Sequence, residues 1–183
     1  LDEAVERAAA AIAEKNPDIV PEERLVVANM VGIGALKYAD LSTERIKDYV
    51  FDWDRMLAFE GNTGPYLQYA HARICSIFRR AGIDRASVRS AHITLDQPQE
   101  RALAMRLLAY PSAIDTTLDS YSPHKLCTYV YELASDFSSF YQECPILKSD
   151  EPVRTSRLAL ADLTARVLEH SLGLLGITAP EQM

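Results

Sequence analysis

Long apolar runs are missing from this 183-residue chain: no stretch approaches 18 consecutive uncharged apolar residues, which argues against a membrane span. The first residues, Leu-Asp-Glu-Ala-Val-Glu, have neither a basic start nor an apolar stretch, so no secretory signal is expected. Cysteine is scarce, with only Cys75, Cys127 and Cys144. An odd, widely spaced set without a C-x-x-C pair fits reduced thiols and points to the cytoplasm. The chain opens on Leu1 and not on Met, which suggests a piece of something larger. Enzyme signatures are missing as well. There is no P-loop, no G-x-G-x-x-G after a strand, no H-E-x-x-H and no nucleophile elbow. The four histidines (His71, His92, His124, His170) have no metal-ligand spacing to one another or to the cysteines, so no metal site and no catalytic residue are expected.

What is present is an ordinary globular balance, 48% apolar, 25% charged and 8% aromatic. At this length roughly 70% of the unfolded surface can be buried, so neither a disulfide nor a metal staple is required. The net charge of −7 argues against a general nucleic-acid coat, but it is unevenly spread. Between residues 64 and 92 stand Arg73, Arg79, Arg80, Arg85 and Arg89 against Asp84 alone. A basic segment in an acidic chain suits a focused phosphate contact, and equally a solvated arginine-rich helix face.

Helical periodicity dominates. Residues 2–15 predict a helix broken by Asn16-Pro17 and Pro21, and a second helix runs from Glu22 to Lys37. Gly32 and Gly34 inside the second imply close backbone packing. Asp48 to Phe51 is the only run with strand character, and Asp52 can cap a brief helix through Phe59. Gly61, Asn62 and Gly64 make a loop, and Pro65 has the fixed φ that opens a helix reaching Ala81, with Gly82 as its stop. After a polar connection over 83–95, Asp96 and Pro98 start a helix that Pro111 must kink or end. Another follows from Ser122-Pro123 to about Tyr141, ended by Cys144-Pro145. The last begins near Glu151-Pro152 and stops at Gly176. Its two apolar stripes, one through Leu158, Ala161, Ala165, Leu168, Leu172 and Leu175 and one through Leu160, Leu163, Val167 and Leu174, mark a buried central helix. The class is all-α, with a helical bundle over residues 65–183.

On the Pro65 helix, Tyr66, Tyr69, Arg73 and Arg80 fall within about 60° of arc, beside an apolar stripe of Leu67, Ala70, Ile74, Ile77 and Phe78. Tyrosines above arginines can hold an unstacked base next to a phosphate. The bland alternative is that both rings pack on the next helix.

Several stretches resemble one family. Residues 31–42 (VGIGALKYADLS), 48–57 (DYVFDWDRML) and 59–73 (FEGNTGPYLQYAHAR) are similar to arginyl-tRNA synthetases. So are His124-Lys125-Leu126, Phe140-Tyr141, Cys144-Pro145-Ile146-Leu147, Leu163-Thr164-Ala165-Arg166 and Leu174 to Ile177, with Pro180-Glu181 and Met183. The match is ordered and nearly continuous, thinnest over 83–120. It implies a class I synthetase, in which a Rossmann catalytic domain precedes a helical anticodon-binding (DALR) domain. Residues 1–64 would then be the end of the catalytic domain, a mostly helical segment contacting the tRNA stem, and residues 65–183 the anticodon-binding domain.

The resemblance also assigns contacts and partners. The family's anticodon-binding positions fall on Tyr66, Tyr69, Tyr141 and Met183, and Arg73 joins them from the motif and from its place on the helix face. Trp53, the only tryptophan, is expected to pack the junction of the two parts. The implied partners are the anticodon arm of arginine tRNA and the chain's own catalytic domain, with neither DNA nor membrane. The full-length parent would ligate arginine to its tRNA using ATP with magnesium. Neither His-Ile-Gly-His nor Lys-Met-Ser-Lys occurs here, so these 183 residues need no cofactor and are expected to be inactive alone. A different class of function, a helical protein-interaction module derived from that domain, would dock a partner through the same tyrosine stripe.

Overall fold

The computed structural model describes residues 1–17 and 19–183, and among them the secondary structure is helical with no strand. In chain order the helices are α1 (Asp2–Lys15), α2 (Pro21–Ser42), α3 (Trp53–Met56), α4 (Gly64–Ala81), α5 (Pro98–Leu108), α6 (Tyr110–Ser120), α7 (Pro123–Glu143) and α8 (Val153–Leu174), with a 3-10 turn at Arg85–Val88. The all-α class is the one observed.

Local chemistry sets the boundaries of α4. The Thr63 hydroxyl oxygen accepts the Tyr66 N–H at 3.2 Å, Pro65 occupies the first turn, and Gly82 ends the helix at φ 63°. Elsewhere the structure corrects the sequence reading. Helix α2 continues five residues past Lys37, to Ser42. Asp48 to Phe51 is not a strand: it has no partner ladder and runs as an exposed irregular segment. Helix α5 starts at Pro98, so Asp96 lies before the capping position. Gln97 stands at that position, and the Glu100 carboxylate accepts both the Asp96 and Gln97 N–H groups at 2.8 Å. Pro111 falls in the first turn of α6, where a missing N–H is harmless, so one broken helix becomes two.

The main core joins α4, α5, α7 and α8, with Tyr38 reaching in from α2. Helix α8 is central, burying residues of both its stripes; Leu174, near its last turn, is the exception at 55% exposure. Arg157 on α8 donates to Glu100 at 2.6 Å, and to the Pro145 carbonyl and Ser149 hydroxyl at 2.8 Å, tying α8 to α5 and the turn after α7. A second, smaller core lies between α1 and α2, built on Ala8, Ile12, Ile19, Val27, Ala28 and Val31. By length and composition α2 could cross a membrane, contrary to the sequence reading. Part of its apolar surface, including Val27, Ala28, Val31, Ala35 and Tyr38, is buried in packing on α1, α4 and α7, while Leu25 and Val26 stay exposed.

Candidate nucleic-acid interface

A cleft of about 780 Å³ opens at the seam between the two cores. Its floor is the face of α4 that carries Tyr69 and Arg73, and its walls are the ends of α1 and α7 and the last residues of the chain. The Arg73 guanidinium lies 4.7 Å from the Tyr69 ring centre and 5.4 Å from that of Tyr141, so one cation holds two aromatic faces from adjacent helices. Tyr69 meets Phe59 edge-on at 6.3 Å, while Tyr141 stacks on Phe137. The neighbouring Arg73 guanidinium also holds the Tyr69 phenol below its usual pKa.

Charge in this cleft runs against that of the chain. Lys15, Arg73, Arg79 and Arg80 line it, and no aspartate or glutamate does. Among the described residues no carboxylate pairs with Arg73, so its charge remains available to a ligand. The adjoining hollow of about 480 Å³ shares Ile77, Arg80, Tyr141 and Gln142 and adds Leu147 and Lys148, again without an acid. Together they form one cationic path with half-buried aromatic rings and apolar shelves. Such a surface suits phosphates along a strand and bases stacked beside them.

Of the residues expected from the sequence, the structure brings together Tyr69, Arg73, Tyr141 and Met183. Met183 packs against the α1–α2 core, and its carbonyl accepts from Asn16 at 3.2 Å. Tyr66 stands apart from the cleft lining: its ring tilts against Tyr131 at 5.9 Å and its hydroxyl is 3.2 Å from Ser138 Oγ. Trp53 does not pack the junction. It meets Phe51 at 4.8 Å and the Arg7 guanidinium at 5.5 Å, all within the first 60 residues. The two parts meet instead where α2 packs on α4 and α7: the Tyr38 hydroxyl donates to the Cys127 carbonyl at 3.0 Å and Gln68 Nε2 to the Met30 carbonyl at 3.0 Å.

The basic segment divides in two. Arg73, Arg79 and Arg80 face the cleft, whereas Arg85 and Arg89 turn to Asp162 on α8 at 2.9 and 3.5 Å. Arg166 reaches the same buried carboxylate at 3.1 Å. Lys15, Asn16 and Gln142 also line the cleft, and sequence reasoning missed them. No local signal marks them, because their neighbours in space are far away in the chain. The cysteines are buried and free, and burial pushes the Cys127 thiol up to about 12. Among the described residues no group of three or more His, Cys, Asp or Glu is placed to hold a metal ion.

Comparison with known proteins gives the same picture over the whole length. The model described as "DALR anticodon binding domain" matches residues 67–183, and that of the class I (R) tRNA synthetase catalytic domain matches residues 1–53. Arginine–tRNA ligases of Pseudoalteromonas atlantica and Thermobifida fusca are 54% and 55% identical over all of this chain. The chain spans 32% of each of these relatives. The Thermus thermophilus arginyl-tRNA synthetase superposes with a TM-score of 0.90 at 38% identity, over 100% of this chain and 31% of that one. The Plasmodium falciparum enzyme gives 0.90 at 31% identity, over 100% and 32%. The chain therefore belongs to the DALR anticodon-binding domain family, and along its entire length it is similar to arginyl-tRNA synthetases.

Proposed function

We propose that this chain is the tRNA-recognising part of an arginine–tRNA ligase and that the cleft on α4 receives the anticodon arm of arginine tRNA. The observation that carries the reading is a lining with no aspartate or glutamate side chain, four basic side chains and two tyrosine rings, in a chain of net charge −7. Tyr69 and Tyr141 offer faces to unstacked bases, Arg73 offers a guanidinium already oriented by both rings, and Met183 fills the gap beside a base edge with a polarizable side chain. Tyr66, outside the cleft lining and packed on Tyr131 of α7, would be reached only by RNA that extends beyond the cleft. The other reading, a helical protein-interaction module docking a partner through the same tyrosine stripe, is not favoured, because the whole chain is similar to arginine–tRNA ligases.

The division into a stem-contact segment over residues 1–64 and an anticodon-binding domain over 65–183 belongs to this proposal, as does a cytoplasmic location. ATP, magnesium and arginine would be bound by the part of the parent that this chain does not span. The decisive measurement is a filter-binding titration against arginine tRNA and a non-cognate tRNA at two salt concentrations. Tighter binding of arginine tRNA, with the preference kept as salt rises, is expected. Equal affinity for the two at both salts would remove the anticodon assignment.

A further inference from the structure

Five carbonyl oxygens in the last eight residues accept hydrogen bonds from side chains of α1, α2 and α4 or their flanks. Lys37 reaches the Gly176 carbonyl, Gln68 Nε2 donates to Thr178 at 2.7 Å, and His71 Nδ1 donates to Pro180 at 2.9 Å. Arg79 then donates to Glu181 at 2.8 Å and Asn16 to Met183 at 3.2 Å. This tail has no helix or strand of its own, and such a segment is ordinarily frayed. Here the bundle supplies the donors that secondary structure does not.

Two of the anchors are deep in the fold. Gln68 is 0% exposed and His71 1%. The Gln68 amide also donates to the Met30 carbonyl at 3.0 Å, so one group ties α2, α4 and the tail. A carbonyl can only accept, so the proton of His71 sits on Nδ1, leaving Nε2 toward Cys75 and the Glu169 carboxylate. From Pro180 the chain continues over Arg79 to Met183, which lines the cleft with Tyr69 and Arg73.

We infer that Gln68 and His71 are positioning residues of the RNA cleft: they hold the tail in place so that Met183 closes the cleft before any ligand arrives. The inference rests on the RNA-binding reading above. Order that is already present in the free protein does not have to be created on binding, and affinity rises accordingly. Neither residue touches the ligand.

The test is the affinity of the 183-residue chain for an anticodon stem-loop of arginine tRNA, in a double-mutant cycle with deletion of Met183. Gln68→Met and His71→Leu should each weaken binding roughly three- to tenfold, as the deletion does, and should add nothing once Met183 is gone. His71→Asn, which can present an N–H near the position of Nδ1, should restore most of the affinity. Tyr69→Ala should remain additive throughout. Should circular dichroism show either core variant unfolded, Asn16→Ala, at the rim, carries the same cycle. Binding equal to the parent in the anchor variants, or losses that add fully to the deletion, would overturn the inference while Tyr69→Ala keeps its effect. If Tyr69→Ala is silent as well, the RNA cleft itself is wrong and both readings fall.

Discussion

A Cβ placed on Gly64 would lie 2.9 Å from the carbonyl oxygen of Gly34, so α4 begins where the backbone of α2 leaves no room for a side chain. Gly32 is tighter still, with the Ala4 carbonyl oxygen 2.6 Å from its virtual Cβ. In both cases the obstacle is backbone and cannot rotate away. Gly64→Ala and Gly32→Ala should each cost about 1–3 kcal/mol of stability in urea denaturation, as overpacking does. Gly61→Ala is the comparison: its φ of +74° is unfavourable but nothing crowds it, and about 1 kcal/mol of backbone strain is expected. A Gly64→Ala protein as stable as the parent would show that these helices can separate freely.

That contact also shows where sequence reading reaches and where it stops. Glycine inside a helical pattern announces close approach, and Gly32 and Gly34 were legible as such without naming Ala4 or Gly64. Caps and stops were legible because they are local: Thr63, Pro65 and Gly82 act on N–H and C=O groups within a few residues. The central place of α8 followed from its two apolar stripes. The strand at Asp48 to Phe51 failed because strand propensity without a partner produces no ladder. In the site, Tyr69 and Arg73 were readable from one helix face, whereas Lys15 and Asn16 were not, being brought to Met183 only by tertiary packing. Nor could charge alone separate Arg80 from Arg89; that required the position of Asp162.

Leu168 is fully buried on α8, and Leu174, six residues later, is 55% exposed. Leu168→Ala should destabilise the protein by about 2–5 kcal/mol, through lost transfer energy and the cavity left behind. Leu174→Ala should stay within about 0.5 kcal/mol of the parent. Thermal unfolding of the two variants side by side decides it. A loss below about 0.5 kcal/mol at Leu168 would remove α8 from the centre of the bundle.

His71 makes stability depend on pH in a definite direction. Burial lowers its pKa in the folded state below the ordinary 6.5, although the Pro180 carbonyl and the nearby Glu169 and Glu181 carboxylates pull the other way. The unfolded chain therefore takes up the proton first. Stability is fully present above about pH 6.5 and declines as pH falls through that value toward the lower folded pKa. Melting temperatures measured between pH 7.5 and 5.5 should fall in the parent, and His71→Asn should flatten the part of that decline due to this ring. An equally steep decline in the variant would assign the titration to other groups.

The division of the arginines allows base contacts to be separated from phosphate contacts by salt dependence. Tyr69→Ala should weaken tRNA binding by about 1–3 kcal/mol, the usual worth of a stacked base, with little change in the slope of log K against log salt. Arg73→Ala should weaken binding and flatten that slope by just under one, because one phosphate neutralisation, with its released counterion, is lost. Arg80→Ala should behave like Arg73→Ala, since its exposed side chain lines the same cleft. Arg89→Ala carries the same formal charge change from the same basic stretch, yet its guanidinium belongs to the buried Asp162 on the α8 side. It should leave both affinity and slope as in the parent, with at most a small loss of stability. Equal flattening by Arg80→Ala and Arg89→Ala would mean that the RNA senses only the summed charge of residues 64–92. Specific seats for phosphates in the cleft would then be ruled out.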